Sequence, residues 1–481
     1  MTGRTDPTGK TEAGSAVERW GLHEIELTGP DTGNPFLDVA LTATFQHRNR
    51  EVTVDGFYDG DGTYRIRFSP DQEGRWTYRT SSSAVELDGV TGHLTVTPPG
   101  PGNHGPVQVA GPRTFRYADG TRHESFGTTC YHWTHTGDRA HEEETLASLA
   151  DSPFNKVRMC LLPTGGMRPP RLAFVGDEPG QLDKTRFDLE FFRHFEARVL
   201  DLQRLGIEAD LILFHPYDKG EWGVDNMTAE EDRRFVRYVV ARLGALRNVW
   251  WSIANEFDFN TAKTMADWDD LLQYVQQIDP YRRLASIHNG TEMYVHASVY
   301  DFSKPWTTHQ SIQHWDAGLT EHWRRQAAKP VVLDEIGYEG DIDRRWGNLS
   351  GRDLTRRFWR TMAGGGFMGH GECYVDSQPA WISAGGRLIG SSPARIAFLR
   401  EVIAEGPADW IAARADGYRL DYLGERRHAY HDLELDEAEH TVDLIDTWEM
   451  TVTPLPGQYR GNCRIPLPDR TDLAVRVRRA R

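Results

Sequence analysis

The spacing of apolar residues divides the chain into three segments. In the first, residues 18–106, apolar residues recur at every second position in runs such as "LDVALTATF" and "TYRIRF". That pattern predicts short β-strands with one buried face, and the turn signal "DGDG" between such runs predicts a hairpin. The turn does not match a calcium loop, because Pro70 stands where an EF-hand has its closing Glu. We therefore predict a small β-sandwich, ended by the Pro/Gly-rich stretch "TPPGPGNHGP".

In the second segment, residues 107–405, apolar runs of strand length alternate with helical patterns. "NVWWSIANEF" and "KPVVLDEIGY" are two of the runs, and "DLEFFRHFEARVLDLQRL" and "TAEEDRRFVRYVVARL" are two of the helical patterns. The latter begins with Thr228 and Glu231 at the spacing of a capping box. Eight strand candidates alternating with helices predict a (β/α)8 barrel. A doubly wound sheet is disfavoured, because "GTTCYHW" after the first strand is not a Gly-rich phosphate turn.

The third segment, residues 406–481, returns to period-two alternation and predicts a second small β-sandwich. The alternating residues in "VDLIDTWEMTV" are Val442, Leu444, Trp448, Met450 and Val452. The predicted fold class is thus α/β, a (β/α)8 barrel flanked by an amino-terminal and a carboxy-terminal β-sandwich. Residues 1–17 are predicted to be a flexible tail.

Composition and charge exclude several classes of partner. A formal net charge of −16 over 481 residues argues against nucleic acid, which is bound through a basic face. No run approaches the roughly 18 apolar residues that mark a membrane span. The four cysteines lie far apart and form no CxxC pair, which favours reduced thiols over a disulfide framework. The polar start of the sequence has no apolar signal region, so we expect a cytoplasmic protein.

Two strands of the predicted barrel end in glutamates. Strand four ends in Asn255-Glu256 and strand seven in Asp334-Glu335. Because barrels carry their chemistry at the carboxyl ends of the strands, the two glutamates are expected to face each other. A retaining glycosidase needs such a pair, about 5–5.5 Å apart, with one carboxyl as acid and the other as nucleophile. Proximity raises the pKa of one and keeps it protonated.

The other strand ends offer polar and aromatic side chains that could line a sugar site. The predicted substrate-binding set is Asn255, His132, Trp133, Arg158, His215, Tyr217, His288, His309, Trp315 and Trp381. An aromatic residue at a strand end can equally pack at the barrel rim, and a single histidine can be a hydrogen-bonded core residue. His132 and His135 lie three apart without an evident third ligand, so neither a metal nor a cofactor is expected.

The glutamate motifs resemble those of a known group of enzymes. "NE" after strand four and "DEIG" after strand seven are similar to the motifs of the clan A glycoside hydrolases. "VERWGLHEIELTGP" and "IDTWEMTVTPLPGQY" resemble β-sandwich domains of unknown function that flank such barrels. The resemblance implies that Glu256 is the acid/base and Glu335 the nucleophile. The barrel is also similar to a group that includes apiosidases, which implies a pentofuranoside as one candidate substrate.

The function expected from these features is a retaining exo-acting O-glycosidase for small oligosaccharides or glycosides. Long loops at 163–185 and 216–227 are expected to wall off a pocket. Two alternatives stay open: a non-catalytic carbohydrate-binding protein on the same barrel, and an inverting or transglycosylating enzyme. A homo-oligomer is also left open, and neither nucleic acid nor a membrane is expected as a partner.

Overall fold

The computed structural model describes residues 15–291, 299–376, 379–407 and 414–480. Its amino-terminal part is a β-sandwich with one short helix, α1 (Pro35–Asp38). The strands are β1 (Ser15–Glu18), β2 (His23–Thr28), β3 (Leu41–His47), β4 (Arg50–Tyr58), β5 (Thr63–Phe68), β6 (Gly74–Ser82) and β7 (Thr91–Thr97), hydrogen-bonded in the order β1-β7-β6-β3-β4-β5-β2.

Strand β4 connects the two layers of this sandwich. It pairs with β3 as far as Asp55 and with β5 from Gly56 onwards. A Cβ atom at Gly56 would lie 2.6 Å from the Leu41 side chain, so the crossing point has no room for a side chain. Phe45 of one layer stacks on Phe68 of the other with 4.0 Å between ring centroids. The sandwich core is therefore formed by the alternating residues that the sequence pattern predicts.

The tail predicted for residues 1–17 overlaps a strand at its end, and residues 1–14 lie outside the described part of the chain. Residues Ser15–Glu18 form β1 and pair in parallel with β7, through Ser15↔Leu94 to Glu18↔Thr97. The hydrogen bonds of an edge strand come from its backbone, so this polar stretch carried no apolar signal. The other boundaries of the three segments stay predictions.

The middle part contains a closed barrel of parallel strands. In chain order its strands and hairpins are β8 (Val107–Ala110), β9 (Thr114–Tyr117), β10 (Arg122–His123), β11 (Phe126–Thr129), β12 (Lys156–Cys160), β13 (Phe174–Val175), β14 (Asp183–Phe187), β15 (Glu208–Phe214), β16 (Val249–Ala254), β17 (Ala285–Ser286), β18 (Gln310–Gln313), β19 (Val331–Glu335), β20 (Glu339–Gly340), β21 (Phe367–His370) and β22 (Glu372–Cys373).

Eight of these strands form one sheet in the described residues, in the order β17-β16-β15-β12-β11-β21-β19-β18. A parallel bridge between His288 and Ser311 joins its two edges and closes the barrel. The hairpin of β8 and β9 covers the amino end of the barrel, where Phe115 packs against Trp250 and Phe367. The predicted fold class is confirmed. Because the hairpin covers the amino end of the barrel, a site can form only at the carboxyl ends of the strands.

Helices surround the barrel as predicted. They are α2 (Arg139–Ala150), α3 (Leu189–Arg204), α4 (Ala229–Leu243), α5 (Met265–Ile278), α6 (Thr320–Gln326), α7 (Gly351–Ala363), α8 (Trp381–Ala384) and α9 (Ser392–Ala404). The capping box at the start of α4 is present, with the Thr228 side chain accepting from the Glu231 amide and the reverse bond also formed. Among the described helices, none combines the length and the apolar character needed to cross a bilayer.

A buried ionic cluster fastens the amino-terminal sandwich to the barrel helices. Arg242 of α4, only 1% exposed, donates to Asp59 at 2.8 Å and to Glu196 at 2.9 Å. Arg67 of β5 donates to Glu196 at 2.7 Å. Because two buried guanidinium groups share one carboxylate, this contact fixes the orientation of the sandwich on the barrel.

The carboxy-terminal part is again β-structure. Its strands are β23 (Arg414–Ala415), β24 (Tyr418–Gly424), β25 (Tyr430–Glu434), β26 (His440–Asp446), β27 (Thr451–Pro454), β28 (Asn462–Pro466) and β29 (Leu473–Arg479). One sheet has the order β23-β24-β29-β26-β27, and β25 pairs with β28.

The predicted alternation through Trp448 and Met450 is wrong. Asp446 ends β26, and its carboxylate accepts from the amides of Trp448 and Glu449 at 3.2 and 2.9 Å. Such a bond from an Asp side chain to the following backbone favours a turn over an extended strand. Met450 then has a φ of 56°, and the chain returns as β27.

Candidate active site

Glu256 lies directly after β16, at the carboxyl end of the barrel. Its φ and ψ are 45° and 50°, in the left-handed region, which costs a non-glycine residue about 1–2 kcal/mol. The next amide, of Phe257, donates to the carbonyl of His288 at 3.0 Å and holds this turn against the neighbouring strand end. Backbone strain of this kind, maintained by surrounding structure, is concentrated at functional sites.

The carboxyl group of Glu256 has two hydrogen-bond donors. The Tyr217 hydroxyl donates to Oε2 at 2.7 Å, and Gln313 Nε2 donates to Oε1 at 2.7 Å. Burial, followed by the charge of Glu335, raises the pKa of Glu256 to about 7, while the bonds from Tyr217 and Gln313 act in the opposite direction. Glu256 is therefore able to carry a proton near neutral pH.

Glu335 ends β19 and is 4% exposed. Arg158 Nη1 donates to its Oε1 at 2.9 Å, and the Tyr131 hydroxyl donates to the same oxygen. Nε2 of His288 lies 3.6 Å from that atom, and burial, followed by the Arg158 charge, lowers the pKa of His288 to about 4. His288 is thus neutral at neutral pH, and Arg158 is the charged partner of Glu335.

Asn255 connects the two glutamates. Its Oδ1 accepts from Arg158 Nη2 at 2.7 Å. Its Nδ2 donates to the hydroxyl oxygens of Tyr217 at 2.6 Å and Tyr131 at 3.3 Å. Since Tyr217 bonds Glu256 and Tyr131 bonds Glu335, one hydrogen-bonded chain runs from one carboxyl group to the other.

A layer of charges beneath the site fixes Arg158. Lys156 is fully buried and donates to Asp210 at 2.8 Å and to Asp334 at 2.5 Å. Burial acts to raise the pKa of Asp334, but Lys156 and Arg158 outweigh it and hold that pKa far below the usual range. Ser311 also donates to Asp334, at 2.5 Å. Nε of Arg158 lies 3.6 Å from Asp210 and 4.0 Å from Asp334, so this layer holds the guanidinium in place while its Nη1 bonds Glu335.

Comparisons with known proteins identify the family of the catalytic domain. A model of the apiosidase-like catalytic domain matches residues 110–374. The chain belongs to the apiosidase-like family. Domains of unknown function, DUF5060 and DUF5605, match residues 16–83 and 408–478.

Solved structures give the same result for this apiosidase-like protein. A candidate glycoside hydrolase from Bacteroides vulgatus is 38% identical, with a TM-score of 0.90, and the match covers 97% of this chain and 100% of that one. A family 5 glycoside hydrolase from the same organism is 14% identical with a TM-score of 0.62, over 78% and 94% of the two chains, and shows the fold alone. No curated protein matches the chain. The protein is a glycoside hydrolase with a clan A barrel.

The structure brings together half of the residues that the sequence analysis placed in the site of this glycoside hydrolase. These are Glu256, Glu335, Asn255, Arg158, Tyr217 and His288. Sequence reasoning missed Tyr131 and Gln313, which donate to the two glutamates. Both follow or end a barrel strand, so their position was the available signal.

His132 and His215 lie one layer behind the carboxylates. Nε2 of each approaches the carbonyl of Leu162, at 3.2 and 2.9 Å. The His215 ring stacks on Tyr217 with 5.1 Å between centroids. These histidines therefore position Tyr217 and the loop after strand two, and direct sugar contact stays a prediction.

Other members of the predicted binding set have different surroundings. His309 precedes β18 and packs against Phe115 and Trp250 at the amino end of the barrel, so it is removed from the site. The side chain of Trp133 is fully buried. Arg357 and Arg345 lie over the ring of Trp315, at 3.9 and 4.6 Å from its centroid.

Trp381 was expected to stack on the sugar. It is only 1% exposed, and its Nε1 donates to Thr128 of β11 at 2.8 Å. A side chain held inside the protein by that bond does not offer the open ring face that sugar stacking needs.

Two groups of side chains in the described residues have the donor atoms for a metal ion. One consists of His132, Cys160 and His215, and the other of Glu339, His370 and Glu372. In the first, both histidines already approach the Leu162 carbonyl. The second includes two buried atoms without a hydrogen-bond partner, Nε2 of His370 and Oε1 of Glu372. The sequence analysis, which expected no metal, did not identify this group.

Proposed function

We propose that this glycoside hydrolase is a retaining exo-glycosidase that releases a terminal sugar by double displacement. The observation that carries the proposal is the contrast between two carboxyl groups at the ends of strands four and seven. Glu256 has a pKa of about 7, whereas Glu335 accepts from the guanidinium of Arg158. Opposed environments of this kind separate an acid from a nucleophile in one site.

In the first step Glu335 attacks the anomeric carbon while Glu256 gives its proton to the leaving oxygen. Arg158 and Tyr131 orient the attacking carboxylate through their bonds to Oε1. When Glu256 is protonated, its O–H needs a hydrogen-bond acceptor. The Tyr217 hydroxyl can serve, because a hydroxyl that donates to the carboxylate can instead accept from the carboxylic acid. The products are a glycosyl ester on Glu335 and the free leaving alcohol.

In the second step a water attacks the ester. Glu256, now ionised, takes the proton of that water, and Glu335 is released as a carboxylate. Asn255 lies between the two carboxyl groups and is fully buried, with its amide nitrogen donating to two tyrosine hydroxyls. Its amide would reach the sugar hydroxyl next to the anomeric carbon by exchanging the longer of these bonds, 3.3 Å to Tyr131, for one to the substrate. Charge develops at that carbon in the transition state, so this bond strengthens as the reaction proceeds.

The exo mode is supported by the loops beside Glu256. The amide of Gly165 donates to the carbonyl of Tyr217 at 3.0 Å, and the guanidinium of Arg168 lies 5.3 Å from the ring centroid of Trp222. These contacts join the loop after β12 to the loop after β15, and together the two loops form one wall. A cleft of about 380 Å³ borders this wall and is lined by Tyr217, Lys219 and Phe259, among others, but by neither Glu256 nor Glu335. The support for the exo mode therefore comes from the wall.

A panel of aryl glycosides tests the sugar and the mechanism together. It should contain pyranosides and furanosides of both anomers, and the family name adds terminal apiose, a branched pentose, to the sugars. The configuration of the first product, followed by NMR, is expected to equal that of the substrate.

Inverted configuration would overturn the retaining mechanism. Transfer of sugar to an added alcohol at the expense of hydrolysis would favour a transglycosylase. Binding of sugars without any turnover would leave a carbohydrate-binding protein.

A further inference from the structure

A second pair of buried glutamates lies beside the barrel mouth, outside the proposed catalytic site. Glu339 in β20 and Glu372 in β22 are direct partners in a short parallel pairing. His370 ends the adjacent strand β21. Each of the three is at most 1% exposed, and their nitrogen and oxygen donor atoms all lie within 4.8 Å of one another.

The negative charge of this cluster has no basic side chain next to it. Among the described residues neither carboxylate forms an ion pair with Lys or Arg, and the one cationic candidate is His370. Glu339 accepts from the Ser391 and Ser392 amides at 2.7 and 3.0 Å and from the Tyr374 hydroxyl at 2.8 Å. These bonds fix both oxygens of Glu339 in position.

Two atoms of the cluster are buried without a hydrogen-bond partner. They are Nε2 of His370 and Oε1 of Glu372, which face each other at 3.6 Å. The other ends of both side chains are held: Nδ1 of His370 lies 3.1 Å from Thr128 Oγ1, and Oε2 of Glu372 accepts from the Ile389 amide at 2.9 Å. Each buried polar atom that stays without a partner costs about 1–3 kcal/mol, so a ligand that bonds both of these atoms is favoured.

Gly390 packs closely against both carboxylates. A Cβ atom there would lie 2.6 Å from Oε2 of Glu339 and 2.6 Å from Oε1 of Glu372. These two oxygens are therefore brought together beside Gly390, and Oε1 of Glu372 also faces Nε2 of His370 at 3.6 Å. Two carboxylate oxygens and an imidazole nitrogen gathered in this way are suited to a cation.

The separation of the unpartnered atoms agrees with metal coordination. Two ligands of a tetrahedral ion with bonds near 2.1 Å are about 3.4 Å apart. The observed 3.6 Å between His370 and Glu372 is close to that value and longer than a direct N–H···O bond of about 2.9 Å. Imidazole nitrogen and carboxylate oxygen are both donor atoms that zinc and related divalent transition metals accept.

We propose that Glu339, His370 and Glu372 bind a divalent transition-metal ion of the zinc class in a structural site. The ion neutralises the two carboxylates and satisfies both unpartnered atoms. It ties the loop after β19 to the end of β21 and, through the Ser391 and Ser392 amides, to the start of α9. The site is independent of the glycosidase mechanism, because none of its ligands bonds Glu256 or Glu335 in the described residues.

The test is the metal content of the full-length protein. Cells are grown with zinc, manganese and calcium, the protein is purified without chelator, and bound metals are measured by plasma mass spectrometry. About one equivalent of a single divalent metal is expected in the wild type, and at least about fivefold less in Glu372→Gln. Cys160→Ala, which removes a ligand of the other candidate cluster, is the matched control and is expected to keep its metal.

Absence of metal from the wild type, even after incubation with zinc and desalting, would overturn the proposal. Loss of metal in Cys160→Ala with retention in Glu372→Gln would assign the ion to His132, Cys160 and His215 and overturn it equally. If Glu372→Gln does not fold, the cobalt-loaded wild type decides. Nitrogen and oxygen ligands give no cobalt–thiolate charge-transfer band, whereas such a band would identify Cys160 as a ligand.

Discussion

Two pairs of glutamates lie near the carboxyl ends of the barrel strands, and their hydrogen-bond donors differ in kind. Glu256 accepts from a tyrosine hydroxyl and an amide side chain, and Glu335 from a guanidinium and a second hydroxyl. Each oxygen of Glu339 accepts from a backbone amide at the start of α9, and Oε1 also accepts from the Tyr374 hydroxyl. A hydroxyl can reverse its hydrogen bond when its partner gains a proton, whereas a backbone N–H can only donate.

That difference separates a carboxyl group that can change protonation state from one that stays ionised. The pKa of Glu256 is raised to about 7 by burial and by Glu335, while that of Glu339 is lowered despite its burial. Burial of a carboxylate at a barrel mouth is thus not enough to indicate catalysis. The nature of the donors around it is the better criterion.

The largest effect is expected from Glu335→Gln. The amide cannot form the glycosyl ester, so kcat/KM should fall on the order of 10⁴-fold or more, measured on the best substrate of the panel. Metal content should stay at the wild-type level, since Glu335 belongs to the other pair. Glu178→Gln, in an exposed loop, is the control and should retain activity within about twofold. A loss of less than about tenfold in Glu335→Gln would contradict its role as nucleophile.

Glu256→Gln should have a smaller effect that depends on the leaving group. Without the acid, release of a sugar alcohol should slow by about 10²–10⁴-fold. A dinitrophenyl group leaves without a proton, so its release should persist as a burst before the slow second step. Equal loss on both substrates would contradict the acid role.

The pH dependence gives an independent check on Glu256. The acid must be protonated, so kcat/KM of the wild type should fall as pH rises above about 7, the pKa of Glu256. This alkaline limb should be absent from the Glu256→Gln variant when release of dinitrophenol is followed.

Tyr131→Phe tests the donors rather than the carboxylates. Glu335 would lose one hydrogen bond and keep Arg158, so kcat should fall about 10- to 100-fold with little change in KM. The matched control is Tyr64→Phe, which removes a buried hydroxyl that donates to the Pro30 carbonyl in the amino-terminal sandwich. If the two variants lose the same small amount of activity, the bond from Tyr131 has no catalytic role.

The sequence predicted the fold class and the pair Glu256 and Glu335 because barrel strands are periodic and end at one face. It also predicted Asn255, directly after β16, and Arg158, within β12. It grouped His309 with residues in or beyond strand six, whereas His309 precedes β18, which begins at Gln310. A residue before the start of a strand lies at the opposite end of the barrel from the site.

The partners of the glutamates were less accessible to sequence reasoning. Alternation ceases where a strand ends, so nothing in "CYHW" indicates that Tyr131 rather than His132 or Trp133 bonds Glu335. The second cluster was not foreseen either, since Glu339 is far in sequence from His370 and Glu372, and the pairing of β20 with β22 brings them together. Such contacts depend on loop conformation, which residue periodicity does not encode.

The smallest expected effect is on the pH dependence of the free energy of unfolding, through Glu256. Folded Glu256 holds its proton up to about pH 7, against an ordinary value of 4.5, so the unfolded chain ionises first. Its contribution to stability is therefore complete below about pH 4.5 and is lost as pH rises through 7. In Glu256→Gln the side chain cannot ionise, so this variant does not lose stability as the pH rises. At pH 8 it should be more stable than the wild type by on the order of 2 kcal/mol. At pH 4.5 the difference in melting temperature should vanish.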